Sequence, residues 1–338
     1  MKSYCREMNN CFAKRKPSGK MKKVLVYTLI LLLSAPMLVQ GQSRKYISQF
    51  NFFQSYYNPG LTAYEGSALR GFVRNQWSGF EGAPRTMFFS AELDFGEMKG
   101  EEDPALMGKN AASLNLLFDE YGAFRETSLV LGYASRIRLT EKHNLRLGAG
   151  VSYTNVKLDG TSMTVEQQND ELLGQYIGGF SDMQIIDFNV GLALTHEKYY
   201  LSYAMHQVNG GGFSSGDEFM DGRPVNYIVQ AGYREAISDK VAVIGNFFYR
   251  NQEDLPDNVE FNLKALLMDK LWLGAGHRVD YANNLQLGFL LKRVKVGYVY
   301  EFPTNGSYLL PGNTHEFMAI FSLFRTNERK HAKEVLIW

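Results

Sequence analysis

The sequence predicts an all-β fold, a transmembrane antiparallel β-barrel of about 14 strands with both termini in the periplasm. Apolar and polar residues alternate along most of the chain after residue 66, as they do in strands with two different faces. Many of these runs reach the roughly 9–11 residues with which a tilted strand crosses a bilayer. A soluble β-sandwich also alternates, but its strands average about five or six residues. The length of the runs therefore favours the barrel.

The alternation is clear in the stretch NNLQLGFLLK. Leu285, Leu287 and Phe289 point to one face of this run. Asn284 and Gln286 point to the opposite face. Runs of this kind predict the strands of the barrel, at 67–77, 86–95, 111–119, 126–140, 144–157, 183–196, 198–209, 224–237, 240–250, 258–268, 270–280, 283–292, 293–302 and 314–325.

The connections between the runs alternate in length. Very short links follow the fourth, sixth, eighth, tenth and twelfth runs, whereas longer links follow the fifth, seventh, ninth and thirteenth. Outer-membrane barrels have short periplasmic turns and longer external loops. An even number of strands then places both termini in the periplasm. The long link 96–110 and the short turn after the eleventh run are the exceptions to this order.

The N-terminal region predicts export. Residues 21–41 begin with two lysines, continue with the apolar core VLVYTLILLL and end in small and polar residues, as a cleaved signal peptide does. Residues 1–20 fit a signal peptide poorly, so we interpret them as an extension that precedes the true start at Met21. Three further segments follow: 42–66, expected at the periplasmic mouth or inside the lumen; 67–325, the outer-membrane barrel; and 326–338, a C-terminal periplasmic tail.

Composition excludes several classes of protein. Both cysteines, Cys5 and Cys11, precede the signal peptide, so the exported chain is expected to have no disulfide bond and no Cys-ligated metal. Residues 42–338 hold 28 Lys and Arg against 34 Asp and Glu, a mildly acidic balance that does not indicate a nucleic-acid surface.

Motifs of enzymes are not evident. The six histidines do not pair at metal-ligand spacing, and the sequence has neither a GxSxG elbow nor a P-loop. A barrel hydrolase would need a Ser–His or Asp–His grouping assembled by the fold, which spacing along the chain does not test. We therefore expect no enzyme, no catalytic residue, no metal and no cofactor.

Charged residues recur on the inward faces of the predicted strands. Lumen charges either select solutes along a pathway or form ion pairs that fill and stiffen the lumen. The mixed signs favour ion pairs, and a barrel of this width needs filling by side chains, a folded loop or a terminal segment. The predicted lumen charges are Arg70, Glu92, Asp94, Arg136, Arg138, Arg146, Arg234, Glu260 and Lys264.

Two aromatic stretches are candidates for recognition or plugging. The stretch RNQWSGFEGAPRT lies between the first two runs, where Arg74, Glu81 and Arg85 are expected to lock a turn. The stretch FNFFQSYYNPGLTAYEGS precedes the first run and contains an Asn-Pro-Gly turn. The candidate residues are Tyr57, Asn58, Pro59, Gly60, Arg74, Asn75, Gln76, Trp77, Gly79, Phe80, Glu81, Gly82, Ala83, Pro84, Arg85 and Thr86.

Together these two stretches resemble the PorP/SprF family of Bacteroidetes outer-membrane proteins. The second motif, Arg74 to Thr86, is nearly complete, whereas Gly60 replaces the usual alanine in the first. The remainder of residues 45–325 resembles the family only in length and alternation.

The resemblance implies a noncatalytic outer-membrane component of the type IX secretion system, linked to gliding motility. Its implied partners are secreted cargo with type B C-terminal signal domains, such as adhesins, and periplasmic components of the secretion machinery, besides outer-membrane lipid. Two alternatives stay open from the residues themselves. One is an outer-membrane solute channel or hydrophobic-substrate transporter, and the other is a purely structural anchor.

Overall fold

A computed structural model describes residues 45–80, 82–100, 110–161, 176, 178–217, 219, 223–253, 255–304, 312–325 and 334–338. The predicted extension 1–20 and the predicted signal peptide 21–41 lie outside the described residues, as does most of the predicted tail. The strands are β1 (Ala68–Asn75), β2 (Arg85–Asp94), β3 (Asn110–Tyr121), β4 (Phe124–Arg138), β5 (Asn144–Asp159), β6 (Phe180–Thr195), β7 (Tyr199–His206), β8 (Phe213–Gly216), β9 (Asn226–Ser238), β10 (Val241–Gln252), β11 (Leu255–Leu267), β12 (Leu271–Arg278), β13 (Ala282–Leu290), β14 (Val294–Pro303) and β15 (Thr314–Ser322).

All strands except β8 form one closed antiparallel barrel. Each barrel strand pairs with its neighbour along the chain, β7 pairs with β9, and β15 returns to β1. The short strand β8 pairs with β6 outside this ring. Within the described residues the barrel therefore has 14 strands, which confirms the predicted all-β fold.

Side chains alternate between the two sides of the barrel wall as the sequence pattern predicts. In β13, Asn284 and Gln286 are buried on the inner face, whereas Leu285 is 56% exposed on the outer face. An apolar outer face is stable in lipid, and a closed barrel pairs every strand edge, so no backbone group is left unbonded in the bilayer.

The two ends of the barrel differ in their connections. At one end, here called the turn end, links of two to five residues join β4 to β5, β6 to β7, β9 to β10, β11 to β12 and β13 to β14. The opposite end, the loop end, carries the long connections after β5 and β7 and the motif loop between β1 and β2. The predicted long link 251–257 is instead a tight turn, because β10 and β11 keep pairing as far as Gln252 and Leu255. Which end faces the periplasm stays a prediction.

The lumen holds residues 45–66, which we call the plug. The plug contains a 3-10 turn (Phe50–Phe52), the short helix α1 (Gln54–Tyr57) and a second 3-10 turn (Pro59–Leu61). Lys45 pairs with Glu126 near the loop end, and the chain reaches the turn end before β1. A second short helix, α2 (Phe95–Met98), follows β2. No helix in the described parts of the chain is long and apolar enough to cross a membrane.

Aromatic packing fixes the plug against the inner wall. The ring of Phe53 lies 4.9 Å from Phe72 and 5.4 Å from Phe88, with both pairs edge to face. Phe52 packs on Trp272 across the lumen, at 5.5 Å between ring centroids. The hydrophobic core of the molecule is thus the interface between plug and barrel.

Residues 334–338 also lie inside the lumen, although the sequence predicts a periplasmic tail for this region. Val335, Ile337 and Trp338 are buried, with Ile337 fully inaccessible and Trp338 1% exposed. The physical reason is hydrophobic. An EVLIW segment exposes four apolar side chains to water unless it returns to the lumen, where each fully buried apolar side chain contributes about 1.5–3 kcal/mol.

Candidate functional site

The first motif residue, Arg74, points into the lumen from the loop-end half of β1. Its guanidinium lies 2.6 Å from the Glu301 carboxylate and 3.3 Å from the Glu316 carboxylate. It also donates a hydrogen bond of 2.9 Å to the hydroxyl of Ser48 in the plug. Arg74 therefore binds the barrel wall and the plug at the same time.

This contact belongs to a larger buried network. Arg278 lies 3.0 Å from Glu260 and 3.1 Å from Glu301. The Ser48 hydroxyl donates to Glu301 at 2.7 Å, and the Ser48 N–H donates to Glu316 at 3.0 Å. Each carboxylate of the network thus has a cationic or hydrogen-bonding partner, which buried charges require.

The motif loop after Arg74 rests on the neighbouring loop that precedes β15. The N–H of Ser78 donates to the main-chain oxygen of Asn313 at 2.9 Å. The N–H of Trp77 donates to the Thr314 hydroxyl at 3.4 Å. A side chain at Gly312 would come within 2.6 Å of the Ser78 oxygen, so the close contact between the loops requires glycine there.

The tip of the motif loop is an exposed rim rather than a plug. The side chain of Phe80 is 47% exposed, and Trp77 is half-buried beside it. Gly79 and Gly82 have φ angles of 97° and 71°, which glycine adopts without strain. The Ala83 N–H closes the turn by donating to the Phe80 oxygen at 3.3 Å. The loop presents aromatic surface outward at the loop end.

The sequence predicts that Arg74, Glu81 and Arg85 hold a turn together, but Arg74 bonds inside the lumen instead. Arg74 turns inward because its position on β1 faces the lumen, where the buried carboxylates Glu301 and Glu316 attract it. Arg85 is exposed, and Glu81 lies outside the described residues.

The remaining motif residues join the loop to β1 and β2. Gln76 is buried, and its N–H donates to the main-chain oxygen of Pro84 at 3.0 Å. The buried Thr86 hydroxyl donates to Asp119 on β3 at 2.6 Å. Asn75 is exposed beside them. These bonds hold β1, β2 and β3 together at the base of the motif loop.

The Asn-Pro-Gly turn of the plug is seated on the barrel wall. Asn58 accepts the N–H of Gly60 at 2.8 Å, as an N-cap residue does. Its side-chain amide also donates to the main-chain oxygens of Leu192 and Tyr203, each at 3.1 Å. Both halves of the Asn58 amide are therefore used, one within the plug and one on the wall.

Two wall glycines make this seat possible. A side chain at Gly148 would overlap the main chain of Pro59 and Gly60, and one at Gly191 would overlap the amide of Asn58. Next to the seat, the buried ring of Tyr57 packs against a neighbouring phenylalanine of β10, and burial raises the pKa of its hydroxyl. The candidate residues 57–60 thus lie together at one contact between plug and barrel.

Other predicted lumen charges also bind the plug. Arg70 lies 2.6 Å from Glu92 and donates to the main-chain oxygen of Phe52 at 3.0 Å. Arg146 donates to the main-chain oxygens of Gly60 and Thr62, at 3.0 and 2.8 Å. These arginines recognise plug backbone, which no alternation pattern could reveal.

Glu65 collects several of these cations at the turn end. It lies 3.7 Å from Arg70, 3.7 Å from Lys295 and 4.0 Å from Arg234. Burial alone would raise the pKa of the Glu65 carboxyl, but these cations outweigh burial and hold its pKa below the usual value. Glu65 therefore joins the plug to three cations of the barrel wall near the turn end.

The remaining predicted lumen charges differ in their burial. Lys264 is buried and donates to the main-chain oxygen of Trp338 at 3.1 Å, and Asp94 is buried as the N-cap of α2. Arg136 is half-buried close to the turn end. Arg138 does not lie in the lumen, because β4 ends at this residue; its exposed side chain donates to the nearby Thr140 oxygen.

Sequence reasoning missed Glu316 and Glu65. Alternation could have found Glu316, since it shares the inward face of β15 with Thr314 and Met318. Glu65 carried no signal, because its role depends on the path of the plug. Across the ranges that the structure describes, no group of three His, Cys, Asp or Glu side chains could hold a metal ion.

Comparison with solved structures finds other membrane barrels. The Acinetobacter baumannii outer membrane protein Omp33 is 10% identical and has a TM-score of 0.43, with 78% of this chain and 100% of that chain covered. A Pseudomonas aeruginosa FadL homologue is 8% identical with a TM-score of 0.44, covering 79% and 93%. The Pseudomonas putida toluene transporter TodX is 10% identical with a TM-score of 0.46, covering 82% and 93%. No curated protein matches the chain.

The comparison with family models gives a match that spans most of the barrel. Residues 39–321 match the model described as "Type IX secretion system membrane protein PorP/SprF". The matched range includes the plug, its glycine seat and the motif loop, and it covers well over half of the chain. The chain therefore belongs to the PorP/SprF family of type IX secretion system membrane proteins.

Proposed function

We propose that this protein is an outer-membrane docking barrel of the type IX secretion system, which holds secreted cargo at its loop end and has no catalytic role. The observation that carries the proposal is the contrast between a filled lumen and an exposed aromatic rim. Plug residues pack into the barrel, whereas Phe80 stays 47% exposed at the loop end.

The rim has the properties of a protein-binding surface. Aromatic side chains supply large contact area at low conformational cost, and they dominate binding energy at many interfaces. The rim is also held in place, because the N–H of Ser78 bonds to the neighbouring loop and the N–H of Gln76 bonds to the Pro84 oxygen across the base of the motif loop. A preorganised loop loses little conformational entropy when it binds.

The partners follow from the family. We propose secreted proteins with type B C-terminal signal domains, adhesins of gliding motility among them, as the cargo at the rim. Periplasmic components of the secretion machinery would bind the turn end. Export through a cleaved signal peptide at residues 21–41 is part of the same proposal.

The buried network argues against a solute channel. A conducting lumen needs a continuous wet path, but Ser48 of the plug bonds to the Arg74 guanidinium and to the Glu301 and Glu316 carboxylates of the wall. Removing the plug to open a path would break these bonds and would also take Glu65 away from Arg70, Arg234 and Lys295.

The test is to truncate the rim. Trp77→Ala and Phe80→Ala are each expected to leave the barrel folded while cargo is lost from the cell surface. Phe89→Ala is the matched control, since Phe89 is 41% exposed on the outer face of β2 and lies outside the loop. Cargo display is measured by surface proteolysis and by mass spectrometry of proteins that copurify with the tagged barrel. Unchanged cargo on cells with Trp77→Ala and Phe80→Ala together would overturn the proposal.

A further inference from the structure

The short strand β8 forms the outer edge of a small sheet at the loop end. The barrel strands pair around a closed ring, whereas β8 pairs with β6 on one side. This pairing uses the first half of β6, which extends past the end of β7. In the part of the chain that the structure describes, no strand lies against the other side of β8.

The main chain of β8 points alternately toward β6 and away from it. The N–H of Asp217 donates to the Asp182 oxygen at 2.9 Å, which shows which residues of the ladder are bonded. Bonded residues alternate along an antiparallel pair, so Ser215 faces β6 and Ser214 directs its N–H and C=O to the open side. Among the described residues, none forms a hydrogen bond with the main chain of Ser214.

Exposed apolar side chains lie beside this edge. Phe213 is 60% exposed and meets the ring of Phe188 edge to face at 6.2 Å. Ile186, which lies opposite Phe213 in the pairing with β6, is also exposed. The sequence of β8, FSSG, contains neither a charge nor a proline, with which many proteins keep a sheet edge from pairing. The edge therefore offers main-chain groups and apolar surface to an added strand.

A second copy of this chain does not fit the edge. β8 shares the tilt of β6, and the strands of membrane barrels lie about 35–45° from the membrane normal. Two barrels in one membrane have parallel axes, so their β8 strands diverge by at most roughly 90°. They therefore cannot run antiparallel, and copies related by translation alone do not turn the same edge toward each other. Unpaired main-chain groups are unstable in hydrocarbon, so the partner comes from the aqueous side.

We propose that the edge of β8 pairs with an extended segment of the secreted cargo, which adds as one more strand beside β8. This inference rests on the proposed docking function and gives the cargo a second contact besides the aromatic rim. Ser214 supplies main-chain hydrogen bonds, while Phe213 and Ile186 contact side chains on one face of the added strand. Main-chain pairing depends little on sequence, so the contact suits cargo proteins of different sequence.

Hydrogen exchange at Ser214 tests the pairing directly. The tagged barrel is isolated from its native outer membrane with cargo bound, and a second sample is stripped of cargo. The Ser214 amide is expected to exchange on the order of tenfold or more slowly in the complex than in the stripped barrel. The Ser215 amide faces β6 in both samples and is expected to change little. Equal exchange at Ser214 in the stripped barrel and the intact complex would overturn the proposal.

A proline substitution tests the pairing in cells. Ser214→Pro removes the N–H that the added strand needs, and proline is tolerated there because its nitrogen faces away from β6. Ser214→Thr keeps the N–H and is the matched control. Cargo at the cell surface is expected to fall on the order of tenfold with Ser214→Pro and to stay unchanged with Ser214→Thr. If the Ser215 amide loses its protection in Ser214→Pro, β8 has detached, and Phe213→Ala is used with a smaller loss expected.

The rim variants separate this inference from the proposed function. Loss of cargo with Trp77→Ala and Phe80→Ala together, but not with Ser214→Pro, would leave the docking function standing and overturn the pairing at β8. Loss with Ser214→Pro alone would support the pairing and overturn the role of the rim. Unchanged cargo with all of these variants would overturn both.

Discussion

Arg74→Gln gives the sharpest test of how the plug is held. The substitution keeps a hydrogen-bonding side chain of similar length but removes the charge between two carboxylates, at 2.6 and 3.3 Å. Arg74 is 1% exposed and Glu316 is inaccessible, so water cannot replace the lost contact.

The magnitude follows from what each carboxylate retains. Removing one partner of a buried ion pair costs about 3–5 kcal/mol, because a buried charge is left uncompensated. Glu301 keeps Arg278 at 3.1 Å, and Glu316 keeps the N–H groups of Ser48 and Gln49 at 3.0 and 3.2 Å. We therefore expect the lower end, about 3 kcal/mol. Release of the plug would let water reach the uncompensated wall carboxylates, so this free energy favours release and corresponds to an increase on the order of 100-fold in the population of released plug.

Hydrogen exchange reports this population directly. Protection of the amides in residues 45–66 is expected to fall on the order of 100-fold in the variant, while the strand amides of β3 and β4 keep theirs. Arg85→Gln is the matched control, because Arg85 belongs to the same motif but is exposed. Conductance of single barrels in planar bilayers gives an independent measure, with transient openings expected only for Arg74→Gln.

A second substitution tests whether the uncompensated charge of Glu316 is what loosens the plug. Glu316→Gln on its own removes a buried anion. In combination with Arg74→Gln, it removes the Glu316 carboxylate that would otherwise lack its cationic partner. The double variant should therefore lose less protection than the two single losses added together. Strict additivity, or equal protection in Arg74→Gln and Arg85→Gln, would refute the ion-pair account of plug retention.

Three further outcomes are expected. Gly148→Ala displaces the Asn-Pro-Gly turn and exposes the plug to exchange, whereas Gly150→Ala, with 3.2 Å to its nearest neighbour, does so far less. Asn58→Asp weakens the plug more than Asn58→Ala, although aspartate is a good N-cap residue, because a carboxylate would face the two wall oxygens that the amide now bonds; exchange of the plug amides compares them. The lowered pKa of Glu65 stabilises the folded protein at pH values above its ordinary pKa of 4.5, and this stability is lost as the pH falls further. The thermal midpoint should then fall on acidification in the unaltered chain and change less in Glu65→Gln.

The barrel was predictable from sequence because its physical constraints act locally. Side chains two residues apart in a strand lie on the same face. The outer face contacts lipid and the inner face contacts a polar lumen along each strand, so the alternation of apolar and polar residues is regular. The inward positions of Arg70, Glu92 and Glu260 follow from that pattern. Arg138 departs from it only because β4 ends there.

The contents of the lumen were not predictable in the same way. Glu65 pairs with Arg70, Arg234 and Lys295, which lie on three strands distant in sequence. Such contacts depend on the path of the plug through the lumen, which strand periodicity does not predict. The buried position of residues 334–338 was not predicted, because a run of four apolar residues after Glu334 is too short to show a periodicity.

The motif RNQWSGFEGAPRT combines charged, aromatic and glycine residues because two structural roles adjoin at the end of β1. Arg74 still belongs to β1 and faces inward, so its chemistry is set by the plug and by Glu316. Three residues later Trp77 has left the strand with a φ of 51°, and Phe80 faces outward at the rim. Charge changes at the first position should therefore loosen the plug without altering the aromatic surface. Truncations at the rim should alter that surface without loosening the plug, because the loop's bonds to the neighbouring connection use main-chain groups. A motif that reads as one unit in sequence is thus expected to separate into two phenotypes, divided where the chain leaves the barrel wall.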